Sequence, residues 1–184
     1  MLPGNRLAAP VAALWGFAEA TLFFIVPDVL LTFLAQTSLR RALVASLAAA
    51  GGALTGGAAL YAFAAADPET ARAVLLAVPG ISPELVSRVT VLLRGDLFAG
   101  LVAGALSGAP YKLFVAEAAM TGVSPVTFLI ASLPARLLRF TLAALASWLI
   151  FAKLLGELSL RTRRWLLAGF WAVFYAGYFA AMGW

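Results

Sequence analysis

The sequence predicts an all-α integral membrane protein that forms a single membrane domain over residues 1–184. The chain is 64% hydrophobic and only 11% charged, with a mean hydropathy of +1.00, whereas soluble domains are about 25% charged. Long apolar runs alternate with short basic loops, as they do in membrane proteins. Two of the apolar runs also contain charged residues and a proline, which are costly at membrane depth and therefore indicate a function.

The residue types that are absent exclude several kinds of chemistry. The chain has no Cys and no His, which excludes disulfides, thiol catalysis, imidazole bases and most transition-metal sites. We therefore expect no metal and no cofactor. The formal net charge is +5, but the basic residues lie beside the apolar runs, where they orient a membrane protein. We expect no nucleic-acid partner.

The first half of the membrane domain, residues 11–66, begins with an apolar segment that carries two charges. This segment, residues 11–35, contains Glu19 and Asp28. Pro27 is expected to break its helix into two half-helices, each long enough to reach the middle of a bilayer, with Asp28 capping the second. One full span is the alternative, because the segment also has the length that a span needs.

An apolar run without charges follows at residues 42–66 and is predicted to cross the membrane. Ala48, Gly52 and Gly56 recur at a spacing of four in this run. Residues at that spacing share one helix face, so these small side chains predict a face that another helix approaches closely.

The polar stretch at residues 67–96 is predicted to lie outside the bilayer as two short amphipathic helices. Asp67 and Ser82 are expected to cap these helices, because each is followed by a proline and then a glutamate. The two helices would join at residues 79–80. A simple solvated loop is the alternative.

The second half, residues 97–151, is predicted as another broken segment followed by a span. Gly100, Gly104 and Gly108 form a stripe along its first helix. Pro110 is expected to end this helix, so a break is predicted at Gly108 and Pro110. The stripe also predicts a face for close helix packing, and we expect any homo-oligomer contact there.

Two further helices complete the predicted architecture. The span at residues 126–151 follows Ser124, an expected cap, and contains Arg136 and Arg139. Residues 165–184 are rich in aromatic residues and are predicted to be a C-terminal span.

The basic loops predict the topology of the second half. Arg40, Arg41 and the loop at residues 153–164 are expected in the cytoplasm, because short basic loops stay inside. The first span then leads outward and residues 126–151 return inward. Residues 97–122 must therefore enter and leave on the outer side, as a re-entrant hairpin.

The same reasoning extends to the first half through Arg6. If Arg6 is cytoplasmic, residues 11–35 also enter and leave on one side, which is now the inner one. The chain would then contain an inverted pair of units, each a re-entrant hairpin followed by a transmembrane helix. Inverted repeats of this kind place their broken helices at the binding site.

The charged residues within the apolar runs are the candidate substrate-binding or ion-binding residues. Breaks at Pro27 and near Pro110 would turn them toward one cavity. Buried carboxylates there could bind and release a proton, and arginines bind phosphate in a bidentate manner. The candidates are Glu19, Asp28, Lys112, Glu117, Arg136 and Arg139.

A purely structural role is the alternative for these residues. Glu19 and Asp28 would then only pair with the two arginines of residues 126–151, or Arg139 would reach to the cytoplasmic headgroups. Lys112 would contact a lipid headgroup. The tyrosines of the C-terminal span, Tyr175 and Tyr178, are expected to anchor it at the membrane interface.

Three sequence motifs resemble one known family. They are FAEATLFFIVPDVLL at residues 17–31, APYKLF at residues 109–114 and TFLIASLPARLLRF at residues 127–140. These motifs, in this order, are similar to those of the DedA superfamily, which contains the VTT (SNARE-associated) domain, and are closest to its YqaA-like branch. The resemblance covers about residues 11–151. The chain departs from the family pattern at four positions: Phe24 and Val26 replace prolines, Ala135 replaces a glycine, and Glu117 replaces a small residue.

The resemblance implies a multi-pass bacterial inner-membrane protein with two opposed re-entrant loops. It implies a flippase for polyprenyl phosphate or phospholipid, or a proton-coupled transporter of small solutes, acting in membrane homeostasis. Membrane lipids, a lipid phosphate and protons are the implied partners. The charged positions that are important in the family match Glu19, Asp28, Arg136 and Arg139.

Two other functions remain open from the residues themselves. The chain could be a non-catalytic subunit of a membrane assembly. An intramembrane hydrolase would need a nucleophile and a base, and the sequence offers no such set around Glu19 or Asp28. We therefore do not expect an enzyme.

Overall fold

The computed structural model describes residues 7–182, which are mostly helical and contain no strand. The all-α class is therefore confirmed. Arg6, on which the orientation of the first segment depends, lies outside the described residues, as do residues 183–184 of the predicted C-terminal span. The helices in chain order are α1 (Ala8–Thr21), α2 (Asp28–Ala35), α3 (Leu39–Ala66), α4 (Pro68–Leu76), α5 (Pro83–Arg94), α6 (Leu97–Ser107), α7 (Tyr111–Met120), α8 (Pro125–Ser147), which continues as a π-helical stretch (Trp148–Leu154), and α9 (Leu160–Met182).

Two of the described helices are long and apolar enough to cross a membrane. They are α3, and α8 together with its π-helical stretch. Both were predicted as spans. The C-terminal helix α9 is not one of them, although it contains 23 residues. It begins inside the predicted basic loop and includes three arginines, Arg161, Arg163 and Arg164, so its assignment as a span stays a prediction.

Both predicted helix breaks are present. The first lies at residues 22–27, between α1 and α2, and it starts well before Pro27. The second lies between α6 and α7, where Gly108 has a φ of +82° and Pro110 follows. A positive φ is a conformation that glycine adopts without strain and that often ends a helix. Local sequence signals therefore located the second break, and they predicted the existence of the first break but not where it begins.

The α1 and α3 helices pack with their backbones in contact. A Cβ atom added at Gly16 would lie 2.0 Å from the carbonyl oxygen of Ala49, and one added at Gly52 would lie 1.8 Å from that of Ala13. Gly56 faces Phe17 and Ala20 of α1 in the same way. The prediction that Gly52 and Gly56 form a face for close helix packing is confirmed.

The linker forms the two short helices that were predicted, α4 and α5. The Asp67 carboxylate accepts a hydrogen bond of 3.0 Å from the Thr70 amide, and Ser82 accepts one of 3.3 Å from the Leu85 amide. The hydrogen bonds that Asp67 accepts from Thr70 lower the pKa of its carboxyl. The alternative of an unstructured loop is wrong, because both caps form and α5 buries one apolar face, made of Leu85, Val86, Val89 and Leu93.

Two other predicted caps are wrong. Asp28 is the first residue of α2 rather than its N-cap, and its side chain caps no amide, because the carboxylate instead binds Arg139. Ser124 precedes α8, but its hydroxyl makes no cap hydrogen bond. Only the backbone carbonyl of Ser124 contributes to the start of α8, because it accepts a hydrogen bond of 2.9 Å from the Phe128 amide.

Two of the three glycines of the predicted stripe are packed inside the chain, whereas Gly108 is exposed and a Cβ atom there would meet no atom within 4 Å. A Cβ atom at Gly100 would lie 2.3 Å from the Leu92 carbonyl oxygen, and one at Gly104 would lie 2.1 Å from the Phe114 ring. Both glycines therefore already serve close packing within the chain. A homo-oligomer contact through this face stays a prediction, and it would have to use the remainder of α6.

Candidate functional site

Lys112 connects the two helix breaks. It stands in the first turn of α7, directly after the second break, and its Nζ donates a hydrogen bond of 2.7 Å to the carbonyl oxygen of Phe23 in the first break. The residue is 1% exposed. Its predicted contact with a lipid headgroup is wrong, because the ammonium group is buried and bonded to backbone. The two broken segments therefore meet through this side chain.

Side chains from two further helices bind other polar backbone groups of the first break. Trp15 Nε1 of α1 donates a hydrogen bond of 2.9 Å to the Ile25 carbonyl oxygen. The Val26 amide donates one of 2.9 Å to the Tyr175 hydroxyl of α9. Irregular backbone in an apolar environment requires such partners. The broken backbone is therefore held from three sides.

Two ion pairs join the first broken segment to α8. Arg136 binds Glu19 at 2.5 Å, and Arg139 binds Asp28 at 3.2 Å. Arg139 also donates a hydrogen bond of 3.0 Å to the carbonyl oxygen of Ala105 in α6. The alternative in which Arg139 reaches to the headgroups is wrong, because its guanidinium group has these internal partners. Four of the six predicted charged residues therefore lie in contact, as two pairs.

Aromatic rings surround Arg136. Its guanidinium carbon lies 4.3 Å from the centroid of the Tyr111 ring and 4.9 Å from that of Phe140. The Tyr111 ring in turn stacks on Phe128, with the centroids 5.9 Å apart. A cation between aromatic faces gains electrostatic stabilisation that grows as water is excluded. These rings compensate part of the cost of burying the guanidinium group.

Three cavities meet at Arg139 and Ala109, which line all of them. Glu19 and Lys112 line a cavity of about 50 Å³, whereas Asp28 lines a larger groove of about 510 Å³ between α6, α8 and α9. The prediction that the two carboxylates share one cavity is therefore wrong. Arg139 lies between the two carboxylates. A helix break alone does not determine on which side of Arg139 each carboxylate lies.

The aromatic residues of α9 contact the site. Tyr175 lines the smaller of these two cavities with Glu19, and the Tyr178 hydroxyl donates a hydrogen bond of 3.1 Å to the Gly80 carbonyl oxygen. Trp171 Nε1 donates one of 3.0 Å to the Thr32 hydroxyl. Their prediction as interface anchors missed these internal contacts. The spacing of residues 171, 175 and 178, which share one helix face, was the available signal.

Glu117 is not brought together with the other candidates. It lies further along α7, where its carboxylate oxygen is 2.6 Å from the hydroxyl of Thr90 in α5. It lines none of the three cavities that meet at Arg139. The sequence grouped it with the site because it is charged and lies in an apolar run, but its contact joins α7 to α5, a helix of the linker between the two halves.

The charges of the site do not cancel. Three cations, Lys112, Arg136 and Arg139, lie among two carboxylates, Glu19 and Asp28. Every one of the five is buried except Arg139, whose side chain is 23% exposed. With all groups ionised, the cluster carries one excess positive charge. Buried charge without a counter-ion is costly, so the site favours an anion.

Comparisons of this chain with protein-family models, with curated proteins and with solved structures found no match. Over residues 7–182, no group of three or more potential metal-ligating side chains is assembled. The fold and the site thus define a helical protein with two candidate membrane spans and a buried, net positive charge cluster between two helix breaks.

Proposed function

We propose that this chain is a multi-pass protein of the bacterial inner membrane, related to the DedA superfamily, that carries an anionic substrate across the bilayer. The substrate is a lipid phosphate, such as a polyprenyl phosphate or a phospholipid, or a small anionic solute coupled to protons. The observation that carries the proposal is the buried cluster between the two helix breaks, which brings three basic side chains together with only two carboxylates. The proposal includes no catalytic step.

Contacts between the three sequence motifs support the family relation. Glu19 and Asp28 of the first motif bind Arg136 and Arg139 of the third. Lys112 of the second motif binds the backbone of the first. Motifs that resemble a family by chance have no reason to converge on one site.

The surface supports insertion in a membrane. Large apolar side chains lie exposed on several helices, including Leu14 and Ile130, each 69% exposed, and Val173, 73% exposed. A soluble monomer rarely exposes contiguous apolar surface on this scale. In the proposed arrangement, these side chains face lipid, and the two broken segments are re-entrant hairpins that enter from opposite sides.

The ion pairs suggest how protons would be coupled to the substrate. While Glu19 and Asp28 are ionised, they hold Arg136 and Arg139. A proton on either carboxylate releases its arginine, which then binds a phosphate oxygen pair in its place. Proton binding and anion binding therefore favour each other, and this coupling is reciprocal. Arg139, as the more exposed arginine, contacts the substrate first.

Substitutions in the cluster test the proposal in liposomes that contain the purified protein. We expect Glu19→Gln and Arg136→Ala to lower the rate of lipid-phosphate flipping about tenfold or more, which corresponds to about 1.4 kcal/mol or more. Glu117→Gln is the matched control, since it changes a buried carboxylate outside the cluster, and it should keep the wild-type rate. Wild-type rates in both cluster variants would refute the role assigned to these residues.

A further inference from the structure

A small cavity between α6, α7 and α8 shares Arg136 and Arg139 with the proposed carrier site but is lined by neither of its carboxylates. Its volume is about 20 Å³, and its polar lining consists of Tyr111, Ser132, Arg136 and Arg139. No carboxylate lines it. A cavity of this size holds one water molecule or one monatomic ion, and a tetrahedral phosphate does not fit.

Two hydrogen-bond donors of this lining lack a well-formed hydrogen bond. Arg136 Nε is buried and makes no hydrogen bond within the described part of the chain, and the buried Tyr111 hydroxyl has only the Ser132 hydroxyl beside it, without a well-formed hydrogen bond. The Ser132 hydroxyl already donates to the Phe128 carbonyl oxygen, at 2.7 Å. Leaving a buried donor unpaired costs about 1–3 kcal/mol. Two such donors on one cavity therefore indicate an occupant that accepts hydrogen bonds.

The charges decide which kind of occupant fits. Two arginines line the cavity, and their carboxylate partners, Glu19 and Asp28, do not. The surrounding cluster has one excess positive charge. A cation would be repelled there, and a neutral water molecule would leave the excess charge unbalanced. A monovalent anion can accept hydrogen bonds from both the free N–H group and the free O–H group. It also balances the excess positive charge of the cluster.

We propose that this cavity binds one monatomic monovalent anion, a halide such as chloride, through the Tyr111 hydroxyl and Arg136 Nε. The ion is a resident counter-ion of the cluster. Its binding does not depend on the proposed carrier function and can be measured without any transport assay. If the carrier function also holds, an anionic substrate that reaches Arg136 and Arg139 competes with this ion.

Thermal unfolding in matched salts tests the proposal with the purified full-length protein in detergent. We expect Tm to rise with sodium chloride or sodium bromide and to saturate, compared with sodium gluconate at equal ionic strength, because a ligand that binds only the folded state stabilises it. Tyr111→Phe should abolish this rise. Tyr61→Phe is the matched control and should keep it, since the Tyr61 hydroxyl binds the Val123 carbonyl oxygen instead.

The variant also gives a second readout that separates an ion from a general packing effect. In gluconate, Tyr111→Phe should be at least as stable as wild type, because it removes an unpaired buried hydroxyl. In chloride, wild type should be the more stable protein. Equal Tm values of wild type in the two salts, an unchanged chloride effect in Tyr111→Phe, or an equal loss of stability in both salts would overturn the proposal.

Discussion

Lys112 belongs to the second broken segment, but its side chain binds the backbone of the first helix break. Its ammonium group is the donor that the Phe23 carbonyl oxygen binds, and it is also the unpaired cation of the cluster. The same side chain therefore contributes to stability and to the excess positive charge.

Replacement of Lys112 by Met separates the two contributions. Lys112→Met keeps the length and apolar volume of the side chain but leaves the Phe23 carbonyl oxygen without a donor, so we expect a loss of about 1–3 kcal/mol in unfolding free energy. Denaturant unfolding in detergent measures this loss. Lys153→Met, at an exposed lysine, should change stability by about 0.5 kcal/mol or less. An equal loss in both variants would contradict the role of the backbone contact.

The sequence could identify the members of the cluster but not their partners. Charged residues within apolar runs are conspicuous, and Glu19, Asp28, Arg136 and Arg139 were predicted on that basis. Which arginine binds which carboxylate depends on how α8 is rotated against the first broken segment, and no local pattern encodes that rotation. The contact of Lys112 with Phe23 spans 89 positions of the chain and was missed for the same reason.

At the scale of elements, the pair formed by α1 and α3 is the most closely packed part of the described chain. Gly16 and Gly52 allow the two backbones to touch. This contact places α1, and with it Glu19 at its end, at a fixed position beside α3. The position of the carboxylate thus depends on glycines that carry no charge.

Neighbouring glycines of α3 provide a matched test of this contact. Gly52→Ala places a methyl group 1.8 Å from the Ala13 carbonyl oxygen, so the helices must separate, and we expect a loss of about 3 kcal/mol or more. Gly51→Ala meets no atom within 4 Å and should stabilise the helix by up to about 1 kcal/mol. Unfolding free energies compare the two variants. Similar effects of both would show that α1 and α3 do not pack in this way.

Helix breaks and caps differ in how well the sequence located them. The second break follows from Gly108 and Pro110, which are local signals. The first break was expected near Pro27, but it begins at residue 22, and its backbone is bound by Trp15 and by the distant side chains of Lys112 and Tyr175. Tertiary contacts of this kind override local preference. Asp28 was wrongly expected to cap α2 because its arginine partner is not visible in local sequence.

At the scale of the whole molecule, the proposed topology depends on which side of the membrane each loop lies. The described helices include a broken segment followed by a long apolar helix in each half, α1 to α3 and α6 to α8. This order is what an inverted pair of hairpins and spans requires. The side of the membrane on which each loop is predicted to lie is inferred from its arginines and lysines.

Single cysteines test the second hairpin directly, because the chain contains no cysteine of its own. Asp96→Cys and Ser124→Cys flank α6 and α7, and we expect an impermeant maleimide to label both from the outer side of intact cells. Glu157→Cys, in the basic loop after α8, is the control and should be labelled only after the inner side is opened. Labelling of residues 96 and 124 from opposite sides would exclude a re-entrant segment.

The hydrogen bonds of the first break also determine at what point of protein synthesis this part of the fold can form completely. The partners of its polar backbone emerge in sequence: Trp15 first, Lys112 much later, and Tyr175 near the end. A nascent chain therefore holds the Val26 amide without its hydroxyl partner until α9 has been synthesised. We expect the first break to remain incompletely folded until α9 has been synthesised, because Tyr175 of α9 supplies a partner for backbone that is made much earlier.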